Sequence, residues 1–192
     1  MTDSLHRLYL VRHGDTEWSD THRHTGLTDI PLNYQGEQQA RDLGDKLANL
    51  QFTHCFTSPL QRAVKTCELA GFAEAAESDA DLLEWHYGDY EGRTTSAIRD
   101  EHEGWNVFRD GCPNGEMPGD VMARADRFIA KVREIPGDVV AFSSAHIIRV
   151  ITARWLGLEP QAGRFFLAST AAFNILGYEH DKNEPVICLW NE

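Results

Sequence analysis

The chain has 192 residues, with 30 acidic against 18 basic side chains and a net charge of -12. At 42% apolar and 25% charged it has the composition of a folded protein of one-domain size and not of a disordered chain. So acidic a body repels nucleic acid and anionic membrane at long range, which excludes both as expected partners; a phosphorylated small molecule needs only a locally basic pocket.

The opening Met1-Thr-Asp-Ser-Leu-His-Arg7 lacks the basic start and apolar run of a signal peptide, and no segment approaches the ~20 apolar residues of a membrane span. The cytoplasm is the expected compartment. Leu8 to Val11 is a short apolar run, read as a buried strand that delivers the polar turn Arg12-His13-Gly14. Gly36 to Leu50 sets Ala40, Leu43, Leu47 and Leu50 at helical spacing. Thr53 to Thr57 reads as a second strand, and Ser58-Pro59 as the start of a helix through Arg62 to about Gly71. Asp138 to Phe142 reads as a third buried strand, followed by a helix from His146 to Leu156. Ala171 to Tyr178 and Val186 to Trp190 flank a polar turn and predict a terminal hairpin, whose edge would suit a second copy of the chain without requiring one. The four cysteines have neither zinc-knuckle nor redox-dithiol spacing and are expected as isolated thiols in or near the core.

Strands alternating with helices predict a three-layer α/β/α sandwich with a mostly parallel central sheet, in a single domain spanning residues 1–192. The stretch from 82 to 120 differs: Trp85, His86, Tyr87, Tyr90, Trp105 and Phe108 crowd among glycines. It is expected as a flap-like excursion over an active-site face, with a short helix near Thr94 to Glu101.

Open α/β sheets bind ligands outside the carboxyl ends of their strands. There the sequence places Arg12-His13-Gly14, Ser58 with Arg62 behind it, and Ser143-Ser144-Ala145-His146. Two guanidiniums offer bidentate donors to a phosphate dianion, and a neutral histidine between them is a nucleophile toward phosphorus. Glu84, in the apolar company of Leu82, Leu83 and Trp85, is the candidate acid for the leaving oxygen.

Leu10-Val-Arg-His-Gly-Asp-Thr-Glu17 resembles the signature of the histidine phosphatase superfamily, the phosphoglycerate-mutase-like proteins. So do Thr25-Gly-Leu-Thr-Asp-Ile-Pro-Leu32, Thr57-Ser-Pro-Leu-Gln-Arg62 and Leu83-Glu-Trp-His-Tyr-Gly-Asp-Tyr-Glu-Gly92. The run from Trp105 to Glu116 is similar to the subgroup of sedoheptulose-bisphosphatase-like sugar phosphatases. The resemblance implies His13 as the residue that becomes phosphohistidine, Arg12 and Arg62 as grips on the phosphoryl oxygens, and Glu84 as proton donor. It implies Ser19, Thr25, Gly26 and Tyr87 as substrate contacts, and no metal or organic cofactor.

One departure stands out. The family carries a second histidine five residues before an arginine; here that position, counted back from Arg149, is Ser144, and His146 follows two residues later. Ser144 is therefore expected at the substrate, and His146 is the candidate to take over part of the lost role. The expected function is hydrolysis of a small phosphorylated metabolite, a sugar phosphate, through phosphohistidine. Phosphoglycerate mutase and a non-catalytic phospho-ligand-binding protein are the alternatives. His22 and His24 are expected to be solvated loop residues, and Arg109, Asn114 and Glu116 to contact substrate or brace the loop.

Overall fold

The computed structural model describes residues 5–192. Six strands form one sheet in the order β3-β2-β4-β1-β5-β6. They are β1 (Leu8–Arg12), β2 (His54–Thr57), β3 (Ala76–Ser78), β4 (Val139–Ser143), β5 (Phe173–Tyr178) and β6 (Pro185–Leu189). The first four are parallel to one another, whereas β5 runs antiparallel to β1 and to β6. The terminal hairpin is thus the antiparallel edge of a mostly parallel sheet.

Alternation along the strands builds two cores. Leu8 and Leu10 of β1, with Val139 and Ala141 of β4 and Phe56 of β2, face α6 (Pro118–Arg133) and α7 (Ala145–Trp155). Tyr9, Val11, Val140, Phe142 and Cys55 face the other way, toward α2 (Tyr34–Leu47) and α3 (Gln61–Leu69). Helices on both faces of the sheet make the three layers expected. Cys55, Cys67 and Cys112 are buried and free, and Cys188 is exposed on the edge strand.

Several boundaries differ from the sequence reading, each for a local reason. The helix expected from Gly36 starts two residues earlier, because the Asn33 side chain accepts the Gly36 N–H and caps it. The helix expected at Ser58-Pro59 begins at Gln61, whose N–H donates to Asp29 Oδ1 at 2.8 Å. The sequence reading does not anticipate β3, a short, polar edge strand, or α6, a sixteen-residue helix. Val121, Ala125, Phe128, Ile129 and Val132 form the buried stripe of α6.

The stretch from 82 to 120 is not an excursion. Trp85, Tyr87, Tyr90, Trp105 and Phe108 are buried in the same cluster as the α6 and α7 stripes. Burying such a side chain contributes about 1.5–3 kcal/mol, so the segment is bound into the core. Its glycines serve turns: Gly88, Gly92, Gly104 and Gly111 all have positive φ. α4 (Thr95–Glu101) falls where a short helix was expected, and α5 (Val107–Asp110) follows it.

Candidate active site

Register fixes the site. Arg12 pairs with Ser143 and Thr57 with Phe142, so β1, β4 and β2 end level with one another. The first residue beyond β1 is His13, whose N–H donates to Ser143 O at 3.0 Å; beyond β2, the Ser58 N–H donates to Phe142 O at 2.8 Å.

His13 is buried, and its Nδ1 lies 2.7 Å from Gly14 O. A carbonyl only accepts, so Nδ1 carries the proton. Burial, then the nearby Arg62 and Arg12 charges, hold the imidazole pKa well below its ordinary value of 6.5. The ring is therefore neutral near pH 7, with its Nε2 lone pair free. The Gly14 peptide that orients it is itself fixed: its N–H donates to Thr66 Oγ1 at 3.1 Å, and that hydroxyl donates to Arg62 O at 2.7 Å. Behind the turn, a Cβ on Gly14 would stand 2.3 Å from Gly36 O, and one on Gly36 2.1 Å from Asp15 O. Both positions require glycine because β1's turn and the start of α2 touch backbone to backbone.

Arg12 donates through Nη1 to Ala168 O at 2.7 Å. Arg62, fully buried, donates to the carbonyls of Thr28, Thr25 and Gly26. In each guanidinium the buried Nε has no partner, and the buried Ser144 Oγ has none either. Leaving three such buried polar atoms unpaired is costly.

Glu84 is also buried. The apolar company expected for it is half of its setting. Its Oε1 accepts the Trp85 and Ile147 N–H groups and its Oε2 the His146 N–H, all at 2.9–3.0 Å. The carboxyl group thus sits at the N-terminus of α7 and accepts two of that helix's orphan N–H groups. Its segment is clamped from two sides: Ser143 Oγ donates to Leu82 O, and Arg124 of α6 donates to Leu83 O and to Glu116. The His146 ring meets the Tyr87 hydroxyl at 2.5 Å through Nδ1, and burial pushes the Tyr87 phenol up and the His146 imidazole down.

Arg12, His13, Glu84, Tyr87 and His146 line one cavity of about 70 Å³, with Ser19 and Thr25. A roomier hollow of about 490 Å³ outside Trp105, lined by Tyr90, Arg109 and Met117, holds none of the residues singled out for the reaction.

A family model described as histidine phosphatase superfamily, branch 1, matches residues 8–192. The chain belongs to that superfamily. This histidine phosphatase is 40% identical over 179 residues to an acid phosphatase of Mycobacterium tuberculosis, covering 91% of this chain and 88% of the relative. It is 37% identical to a sedoheptulose 1,7-bisphosphatase of Saccharomyces cerevisiae, covering 81% of this chain and 69% of the relative. The solved structure of the protein of open reading frame Rv3214 from Mycobacterium tuberculosis superposes with a TM-score of 0.92 at 36% identity, over 97% of each chain.

Within this histidine phosphatase, not every anticipated residue reaches the cavity. Arg62 and Ser144 are buried behind its wall, and Gly26 is held there by its carbonyl bond to Arg62. Ser19 lines the cavity, but its hydroxyl also bonds Thr16 in the cap of α1 (Glu17–Asp20). Arg109 and Asn114 brace the loop through Asp110 and Asp89, and Glu116 does so through Arg124. Of the two histidines expected in solvent, His22 is exposed, but His24 is buried against Tyr87, Trp105 and His146 and lines the cavity. Burial lowers its pKa to about 4. Arg23 and Ala145 line the same cavity, though the sequence reading gives neither a role of its own. The signal was their nearness in the chain to Thr25 and Ser144.

Proposed function

We propose that this chain hydrolyses phosphate monoesters of small sugars through a phosphohistidine at His13. The observation that carries the reading is a neutral, Nδ1-protonated His13 beside two arginines whose buried Nε atoms lack partners. Arg12 grips the phosphoryl oxygens from the cavity wall, Arg62 behind it adds its positive charge, and His13 Nε2 attacks phosphorus. The P–O ester bond breaks as Glu84 gives its proton to the departing sugar oxygen. Water then attacks phosphorus, the P–N bond breaks, and Glu84 takes the water proton; the products are the sugar alcohol and inorganic phosphate. Where the family has a second, charged donor this chain has the buried Ser144, and His146 faces the phosphoryl group from the cavity wall. The sugar is suggested by the sedoheptulose-bisphosphatase relative, which also matches the subgroup resemblance of the Trp105–Glu116 run. No helix among the described residues is long and apolar enough to cross a membrane. A reducing compartment such as the cytoplasm suits the Cys55 and Cys67 sulfurs, which lie unbonded 3.8 Å apart.

The test is phosphate release from a panel of sugar mono- and bisphosphates, with an alkaline quench to preserve the acid-labile P–N bond. Phosphate release together with a phosphoenzyme that His13→Ala abolishes is expected. Neither phosphate nor phosphoenzyme from any member would leave a phospho-ligand-binding protein. Conversion of 3-phosphoglycerate to 2-phosphoglycerate outrunning phosphate release would make the chain a mutase.

A further inference from the structure

Arg23 stands apart from the other arginines around the site. Arg12 and Arg62 are tied to carbonyls, Arg93 to Glu101 at 2.6 Å and Arg109 to Asp110 at 2.7 Å. Arg149 donates to Gly163 O and lies over the Phe108 ring. The exposed Arg23 side chain has no hydrogen bond, carboxylate or aromatic face among the described residues, yet it lines the cavity that holds His13. Its backbone is not loose. Arg23 forms a β-bridge with Thr94, and its N–H donates to Trp18 O at 2.9 Å. The next residue is pinned in the same way, by His24 N–H to Arg93 O at 2.9 Å. An unpaired guanidinium held on a fixed backbone at a phosphoryl-sized cavity is a donor waiting for an anion outside the chain.

The size of the cavity says which part of the substrate that anion belongs to. About 70 Å³ accommodates a phosphoryl group and not the sugar behind it, so the rest of the substrate must extend past the rim. The cavity's one carboxylate, Glu84, is already engaged by three backbone N–H groups and does not compete for Arg23. We propose that Arg23 is a specificity-determining residue that reads a second anionic group, so that doubly anionic substrates such as sugar bisphosphates are preferred over monophosphates. The inference rests on the reading of the cavity as the phosphoryl site.

Binding separates the two readings. In a His13→Ala background, which removes the nucleophile, calorimetry compares fructose 1,6-bisphosphate with fructose 6-phosphate, with and without Arg23→Ala. The expected result is a loss of about tenfold for the bisphosphate on Arg23→Ala, under twofold for the monophosphate, and partial recovery with Arg23→Lys. The preference should shrink with added salt, since the contact is exposed to solvent. In the otherwise native enzyme, Arg23→Ala should raise KM for whichever bisphosphates are turned over and leave kcat in place. Equal losses for both ligands, or none, would overturn the role of Arg23. Both ligands binding with Arg23-dependent preference but no turnover by the native chain would sink hydrolysis and keep Arg23. No binding of either ligand would sink both.

Discussion

Tyr87→Phe removes one atom from the site. The ring stays where it packs, 4.7 Å from His24, but the hydroxyl that meets His146 Nδ1 at 2.5 Å is gone. Tyr87 is buried and His146 nearly so, thus water does not readily replace the lost partner. An unsatisfied buried polar atom costs about 1–3 kcal/mol. For a domain of this length each kcal/mol lowers Tm by about 2–4 °C, so the variant should melt about 2–12 °C below the parent.

The pairing is isolated by a cycle with His146→Ala, read by thermal melts and urea titration. In that background the Tyr87 hydroxyl has already lost its acceptor, and removing it should be close to neutral; the coupling energy should be about 1 kcal/mol or more. Kinetics distinguish two roles for the same hydroxyl. If Tyr87 acts through His146, Tyr87→Phe lowers kcat with KM for sugar phosphates unchanged; if it touches substrate, as the family resemblance implies, KM rises. The same stability loss in both backgrounds would refute the hydrogen bond as the source of the effect.

Two further outcomes follow from the geometry. Gly36→Ala puts a Cβ 2.1 Å from Asp15 O, so the start of α2 must back away from the turn carrying His13; about 1–3 kcal/mol of stability and much of kcat should go, and a melt within 1 °C of the parent would contradict the packing. Acid should destabilise the fold through its buried imidazoles. His24 has a folded pKa near 4 against 6.5 unfolded, so below pH 6.5 the unfolded chain takes up a proton that the folded chain refuses. That removes about 2 kcal/mol by about pH 5, with His13 and His146 acting in the same direction. Urea midpoints should fall over this range and fall less in His24→Gln; an equal pH dependence in the two would rule His24 out.

The sheet was readable because its inner strands are buried on both faces. Leu8–Val11 and Val139–Phe142 are unbroken apolar runs, and short runs followed by polar turns place chemistry at strand ends. Edge strand β3, Ala-Glu-Ser, buries nothing completely and has no such signal. α6 had one: Val121, Ala125, Phe128, Ile129 and Val132 recur at helical spacing, directly after the glycine-rich approach that ends at residue 120. That approach itself misled. Glycines at positive φ were turning the chain so that its aromatics could pack inward, which composition alone does not distinguish from a flap. At the site, residues carried by a motif fell near one another, whereas Arg23 and His24 depend on a β-bridge to residues 92–94 that local pattern does not reveal.

The serine at position 144 makes electrostatic sense in this particular pocket. Arg12 and Arg62 already depress the His13 pKa, and the three imidazoles of the cavity, His13, His24 and His146, are all shifted toward neutrality. A further imidazolium beside two buried guanidiniums would add like-charge repulsion in a medium that screens poorly. A buried hydroxyl at that position adds no charge. The positive field of the site is then carried by arginines alone, which stay charged across the physiological range while the histidines stay neutral. In a body of net charge -12, phosphate affinity drawn as proposed from guanidiniums held at fixed carbonyls would not titrate away near neutral pH, and His13, as the proposed nucleophile, would not have to lose a proton before it attacks.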